Sequence, residues 1–177
     1  MLGDVFFELL NQDEWDVLIL AGDLGTAKFD HFHHLLKQAR KHIPHKPIVA
    51  VRGNHDFWER NYSTTEFRLE NGLSSFIKRG EEEFKKYNVH HLESGPWVKD
   101  KVTIVGWDGW YFDPNPPTND EYHLPGGWHS HAILSRRAHI KFEQVLQQLE
   151  EVPKDHKKIV VTHMAPFVDE WVDNHFN

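Results

Sequence analysis

Three apolar runs in this sequence each end in residues able to hold a cation. Residues 16–21 lead into Gly22-Asp23, residues 47–51 into Arg52-Gly53-Asn54-His55-Asp56, and residues 158–161 into Thr162-His163. Together they offer carboxylate, amide and imidazole donors without sulfur, a set that suits Mn, Fe, Zn or Ni better than a thiolate-preferring ion. The chain has no cysteine, so neither a thiolate metal site nor a disulfide framework can form. Taken singly, each residue has a plainer explanation. Asp23 could be a carboxylate at a helix N-terminus, Asn54 a turn residue and Asp56 a cap. Those explanations leave open why all of them follow apolar runs.

The runs read as strands, being short, apolar and bounded by turn residues. Between the first two, Thr26 can cap a helix that places Phe32, Leu35, Leu36, Ala39 and Ile43 on one face, with Pro44 ending it. Strand, helix and strand in that order specify a parallel βαβ unit. In open α/β sheets, ligands gather at the carboxyl ends of the strands. Gly22, Gly25 and Gly53 let the backbone turn sharply there and approach an ion or phosphate closely. Further along, the pattern predicts helices over 5–11 and 73–87 and strands over 89–92, 97–98 and 102–105. A long loop over 108–131 follows. After it comes a helix with Ala138, Phe142, Val145, Leu149 and Val152 on one face, stopped by Pro153. The last run, 158–163, reads as a further buried strand.

At 177 residues the chain suits one domain. No apolar run approaches the roughly 18–20 residues that span a bilayer. Asp4, Glu8 and Asp13 interrupt the place where a signal peptide would be apolar, so a cytoplasmic location is the expectation. A net charge of −7 argues against nonspecific nucleic-acid binding and leaves nucleic acid only as a substrate. Of the fifteen histidines, His31, His33, His34, His90 and His91 read as solvated or partly packed imidazoles.

In order and spacing, Gly22-Asp23-Leu24-Gly25, Gly53-Asn54-His55-Asp56 and Thr162-His163 resemble the second, third and fourth motifs of the calcineurin-like metallophosphoesterases. The resemblance implies an α/β fold, a sandwich of two mixed β-sheets flanked by helices. It implies metal-dependent hydrolysis of a phosphate mono- or diester by a site holding two divalent ions in the parent protein. Asp23 would bridge the ions, while Asn54 and His163 would ligate one of them. His55 would face the phosphoryl group, and Asp56 would accept a hydrogen bond from its ring. Trp58 and Trp110 are candidate substrate-cleft residues.

The family pattern also has an Asp-x-His and a Gly-His-x-His. The nearest upstream match, Asp4-Val5-Phe6, has phenylalanine at the histidine position, and His175 stands alone downstream. His129-Ser130-His131 reads as loop. The expectation is a single partial domain over 1–177, a fragment incomplete at both ends, holding at most one metal weakly. The alternative is a degenerate phosphoesterase fold acting as a binding module through exposed aromatics, among them Trp107, Trp110, Tyr111, Trp128 and Trp171.

Overall fold

Residues 2–10, 14–25, 29–57, 72–109 and 128–164 are described by a computed structural model. Helix α1 (Leu2–Leu10) precedes strand β1 (Leu18–Ala21), and α2 (Phe29–His42) connects β1 to β2 (Ile48–Val51). A 3-10 turn over Asn54–Phe57 follows β2. Then come α3 (Gly72–Lys86), β3 (His90–His91) and a 3-10 turn over Leu92–Ser94. The remainder is β4 (Trp97–Lys99), β5 (Val102–Trp107), α4 (Trp128–Glu151) and β6 (Lys157–Thr162).

The strands form two three-stranded sheets, ordered β1-β2-β3 and β4-β5-β6. The first is parallel throughout, with Leu18 opposite Ile48 and Ala21 opposite Val51. A parallel pair needs a crossover long enough to return the chain to the same edge, which α2 supplies. In the second sheet β4 and β5 form an antiparallel hairpin, while β5 and β6 run parallel with α4 as the crossover. Trp107 lies opposite Thr162. Both registers therefore stop with the chain about to leave the carboxyl edge, where Asp23, Asn54 and His163 follow within three residues of their strands.

The side chains of β2 alternate as strand geometry requires. Ile48 and Ala50 join Phe32, Leu36, Ala39, Ile43 and Phe84 in a core between the first sheet and its helices. Val49 and Val51 face the other way and pack with Leu92, Ile104 and Val161, which joins the two sheets face to face. Val105, Trp107 and Val145 hold α4 against the second sheet. The layers are thus helix, sheet, sheet, helix. No helix among the described residues is long and apolar enough to cross a membrane.

The structure corrects several expectations. Strand β6 is exposed from Lys157 to Val160, and β1 is half-buried with Ala21 exposed. Each is the outermost strand of its sheet among the described residues, so one edge lacks the neighbour that buries β2. His129-Ser130-His131 lies in the first turn of α4 and not in a loop. No proline or glycine occurs between Trp128 and Val152, so nothing in the sequence stops the helix from beginning that early. Trp107, offered above as an exposed interface residue, is 1% exposed in the core under α4.

The junction of β5 and β6 tolerates no added bulk at Gly106. A Cβ there would lie 2.3 Å from the Val161 carbonyl oxygen and 2.9 Å from Leu92 Cδ1. Gly106→Ala is expected to cost about 1–3 kcal/mol, the usual penalty for overpacking. The measurement is urea unfolding at equilibrium, where an unchanged midpoint would contradict this packing.

Candidate metal centre

The site is assembled where the chain leaves β1, β2 and β6. After β1 the backbone is left-handed at two successive residues, Gly22 with φ +91° and Asp23 with φ +55°. A non-glycine residue in that region is uncommon and is tolerated where surrounding contacts hold it. Here the His55 backbone N–H donates to Asp23 Oδ1 at 3.1 Å, fixing the carboxylate against the turn after β2. His163 arrives from the second sheet. Its Nδ1 lies 2.8 Å from the Ala21 carbonyl oxygen. A carbonyl oxygen can only accept, so Nδ1 carries the proton of this hydrogen bond.

That tautomer determines what the other ring nitrogen presents. His163 Nε2 lies 3.2 Å from Asn54 Oδ1 and 3.3 Å from Asp23 Oδ1. In the neutral ring it is a lone pair facing two oxygen acceptors. Three acceptors converging on one point repel one another, which is relieved by a second proton on the imidazole, by a turn of the Asn54 amide that presents its NH2 group, or by a metal ion that accepts all three lone pairs. The donor set, one nitrogen and two oxygens including a carboxylate, fits a divalent first-row metal. His55 stands beside this point, with Nδ1 3.7 Å from Asp23 Oδ2 and its side chain 37% exposed.

Two glycines permit the convergence. A Cβ on Gly22 would sit 2.5 Å from His163 Nδ1, and one on Gly53 would sit 2.3 Å from Asp23 Oδ1. Asp56 ties the same two loops together. Its Oδ1 accepts from the Gly25 backbone N–H at 2.6 Å and its Oδ2 from that of Gly53 at 2.8 Å. Burial raises the Asp56 carboxyl to about 6, against the lowering effect of the backbone amides of Gly53, Gly25 and Leu24. The described contacts of Asp56 are therefore with the backbone, a task that the expected pairing with the His55 ring did not include.

A second polar cluster lies beside the first, and it escaped the sequence reading. His91, Glu93 and Asp108 each offer one ligand atom within 4.8 Å of the others, the only such group of three among the described residues. Its occupants argue against a metal there. Arg52 Nε donates to Asp108 Oδ2 at 2.8 Å, and Nη2 lies 2.6 Å from the same oxygen, as a close ion pair without hydrogen-bond alignment. The Arg52 backbone N–H and His91 Nε2 donate to Asp108 Oδ1 at 2.8 and 2.7 Å. Arg137 Nη2 pairs with Glu93 Oε2. Both carboxylates are thus neutralised by guanidinium groups, and a dication would sit among like charges. Burial alone would push the Asp108 carboxyl up, but Arg52 and then His91 outweigh it and hold it well below the usual carboxylate range. Asp108 was detectable in principle, because it directly follows β5 just as the other site residues follow their strands.

Of the sequence candidates, the structure brings Asp23, Asn54, His55, Asp56 and His163 together, while Trp58 and Trp110 lie outside the described residues. The two facing three-stranded sheets with their flanking helices are consistent with the metallophosphoesterase fold. The chain matches the calcineurin-like phosphoesterase family over residues 2–177 and belongs to it, a family of metal-dependent hydrolases that typically bind two divalent metals. No curated protein and no solved structure matches the chain.

Two outcomes follow from this geometry. Gly53→Ala is expected to separate Asp23 from His163, so that the backbone amide resonances of both shift in NMR spectra while circular dichroism stays helical. Asp108 gives a pH signature. Its folded value is below its unfolded value near 4, so its contribution to stability is present above about pH 4 and lost as the pH falls further. Urea unfolding at a series of pH values should therefore show a shallower acid loss for Asp108→Asn than for the unaltered chain.

Proposed function

We propose that this chain carries part of the active site of a metal-dependent phosphoesterase hydrolysing phosphate mono- or diesters. In this reading Asp23, Asn54 and His163 are metal ligands, and His55 and Asp56 are catalytic. The observation that carries it is the meeting of His163 Nε2, Asn54 Oδ1 and Asp23 Oδ1, with the other ring nitrogen of His163 already committed to Ala21. Three donors are enough for one ion. A second ion needs donors beyond this set.

A bound divalent ion supplies Lewis acidity at a phosphoryl oxygen and a more acidic water. The protein's own residues do the rest. Asp23 and Asn54 arrive on loops that Asp56 holds together, so two of the donors keep a fixed separation. His163 keeps its metal-facing lone pair because its proton is engaged by Ala21. His55, beside the Asp23 carboxylate and partly open to solvent, is placed to stabilise charge on the phosphoryl group or to protonate the leaving oxygen. Asp56 supports it by fixing the turn on which it stands. Manganese, iron, zinc and nickel all suit the donors, and a phosphate ester is the substrate class that the family implies.

Calorimetric titration of the chain with Mn²⁺ should give one binding event, and His163→Ala should abolish it. In the full reading frame that contains this chain, Mn²⁺-dependent cleavage of an aryl phosphate mono- or diester should fall by about 10²-fold or more in His55→Ala, the usual worth of a general acid. Metal binding without any hydrolysis by the full protein would sink the catalytic reading in favour of a binding module.

A further inference from the structure

The donors proposed above come from two sheets with no strand in common. Asp23 and Asn54 follow strands of the first sheet, and His163 follows β6 of the second. Apolar packing between Val49, Val51, Ile104 and Val161 holds the sheets together, but this attraction is non-directional and does not by itself set the angle at a strand end. Asp108 can do so. It sits at the end of β5, the strand next to β6, and is 6% exposed. One carboxylate oxygen takes the backbone N–H of Arg52, two residues before Asn54, and the other takes the Arg52 side chain. The neighbouring Gly109 lies directly against the end of β6. A Cβ on it would meet Thr162 Oγ1 at 2.0 Å and the His163 backbone nitrogen at 3.2 Å. The Asp108-Gly109 pair therefore touches both segments that carry donors, one through hydrogen bonds and the other through backbone contact.

Two further contacts orient this tie. His91, 5% exposed, donates from Nε2 to the oxygen that also holds the Arg52 amide. Glu93 Oε1 accepts from the Asp108 backbone N–H at 3.3 Å, and Glu93 itself is paired with Arg137 from α4. Arg52 Nη1 donates to the Ile77 carbonyl of α3 at 3.1 Å, and the guanidinium lies 4.7 Å over the Phe57 ring. The Arg52 side chain is thus gripped from several sides, and its backbone is immobilised at the point where β2 gives way to Gly53-Asn54.

We propose that Asp108, held by His91 and paired with Arg52, is a positioning residue that sets the distance between Asn54 and His163 and so the metal affinity of the site. The metal-affinity part rests on the reading under Proposed function. The positioning part does not require a metal to be bound.

The test compares Asp108→Asn, His91→Leu and His91→Gln with Ile43→Ala. Ile43 is a core residue directly after the C-terminus of α2, so its variant controls for lost stability alone. In the metal-free chain, Asp108→Asn and His91→Leu should shift the His163 imidazole nitrogens and the Gly53 and Asn54 amides in ¹⁵N spectra. His91→Gln, which retains a donor toward Asp108, should shift them far less, and Ile43→Ala not at all. Calorimetry with Mn²⁺ should then show about tenfold or greater weakening in Asp108→Asn and His91→Leu, the usual effect of losing a residue that orients metal ligands, with Ile43→Ala unchanged. Asp108→Asn and His91→Leu chains that fold but leave the His163, Gly53 and Asn54 resonances in place would overturn the proposal, as would equal shifts in Ile43→Ala. If the unaltered chain binds no Mn²⁺, the metal reading fails, and the nitrogen shifts still decide the positioning role.

Discussion

Two sheets that share no strand must bring their strand ends within hydrogen-bond distance of one another, and the thickness of the backbone limits how closely they can come. Most of the local sequence around the site answers to this limit. Gly22 and Gly53 occupy the contact between the first-sheet loops and His163, and Gly109 occupies the contact between the end of β5 and the end of β6. At Gly22 and Gly109 a side chain is opposed twice, by the space and by a positive φ. The left-handed Asp23 belongs to the same solution, because its backbone must reverse within two residues of β1 to aim the carboxylate inward.

The charges behind the site follow a different logic. Asp108 and Arg52 are both almost fully buried, and removing two ions from water costs several kcal/mol each before their attraction is counted. A pair of this kind adds little net stability compared with apolar residues of the same size. What it adds is direction. Guanidinium and carboxylate accept few geometries, whereas the attraction between Val51 and Ile104 is non-directional. The cluster therefore belongs where an angle has to be fixed.

The sequence made β2 and α2 legible because their burial follows a local period: apolar throughout in β2, and an apolar stripe ending at Ile43 and Pro44 in α2. The strand-end residues Asp23, Asn54 and His163 were legible through the rule that ligands collect at carboxyl edges. The supporting cluster was not. Arg52 reads as a solvated charge unless its partner is known, and that partner lies 56 residues away. His91 follows another histidine in a polar stretch and becomes a core residue only through Asp108 and the Phe84 ring tilted against it. The exposure of β6 was equally hidden, since the apolar run 159–161 looks the same in a central strand as at an edge.

The Asp56 clamp has a mechanical consequence. Because one carboxylate grips the amides of both Gly25 and Gly53, the loops bearing Asp23 and Asn54 form a single body and translate together. His163 is fastened to that body by its bond to Ala21 and otherwise belongs to the opposite sheet. The relation left for the contacts between the sheets to fix is that of His163 to this body, and that is where the Asp108–Arg52 pair and the packing of Gly109 against Thr162 act.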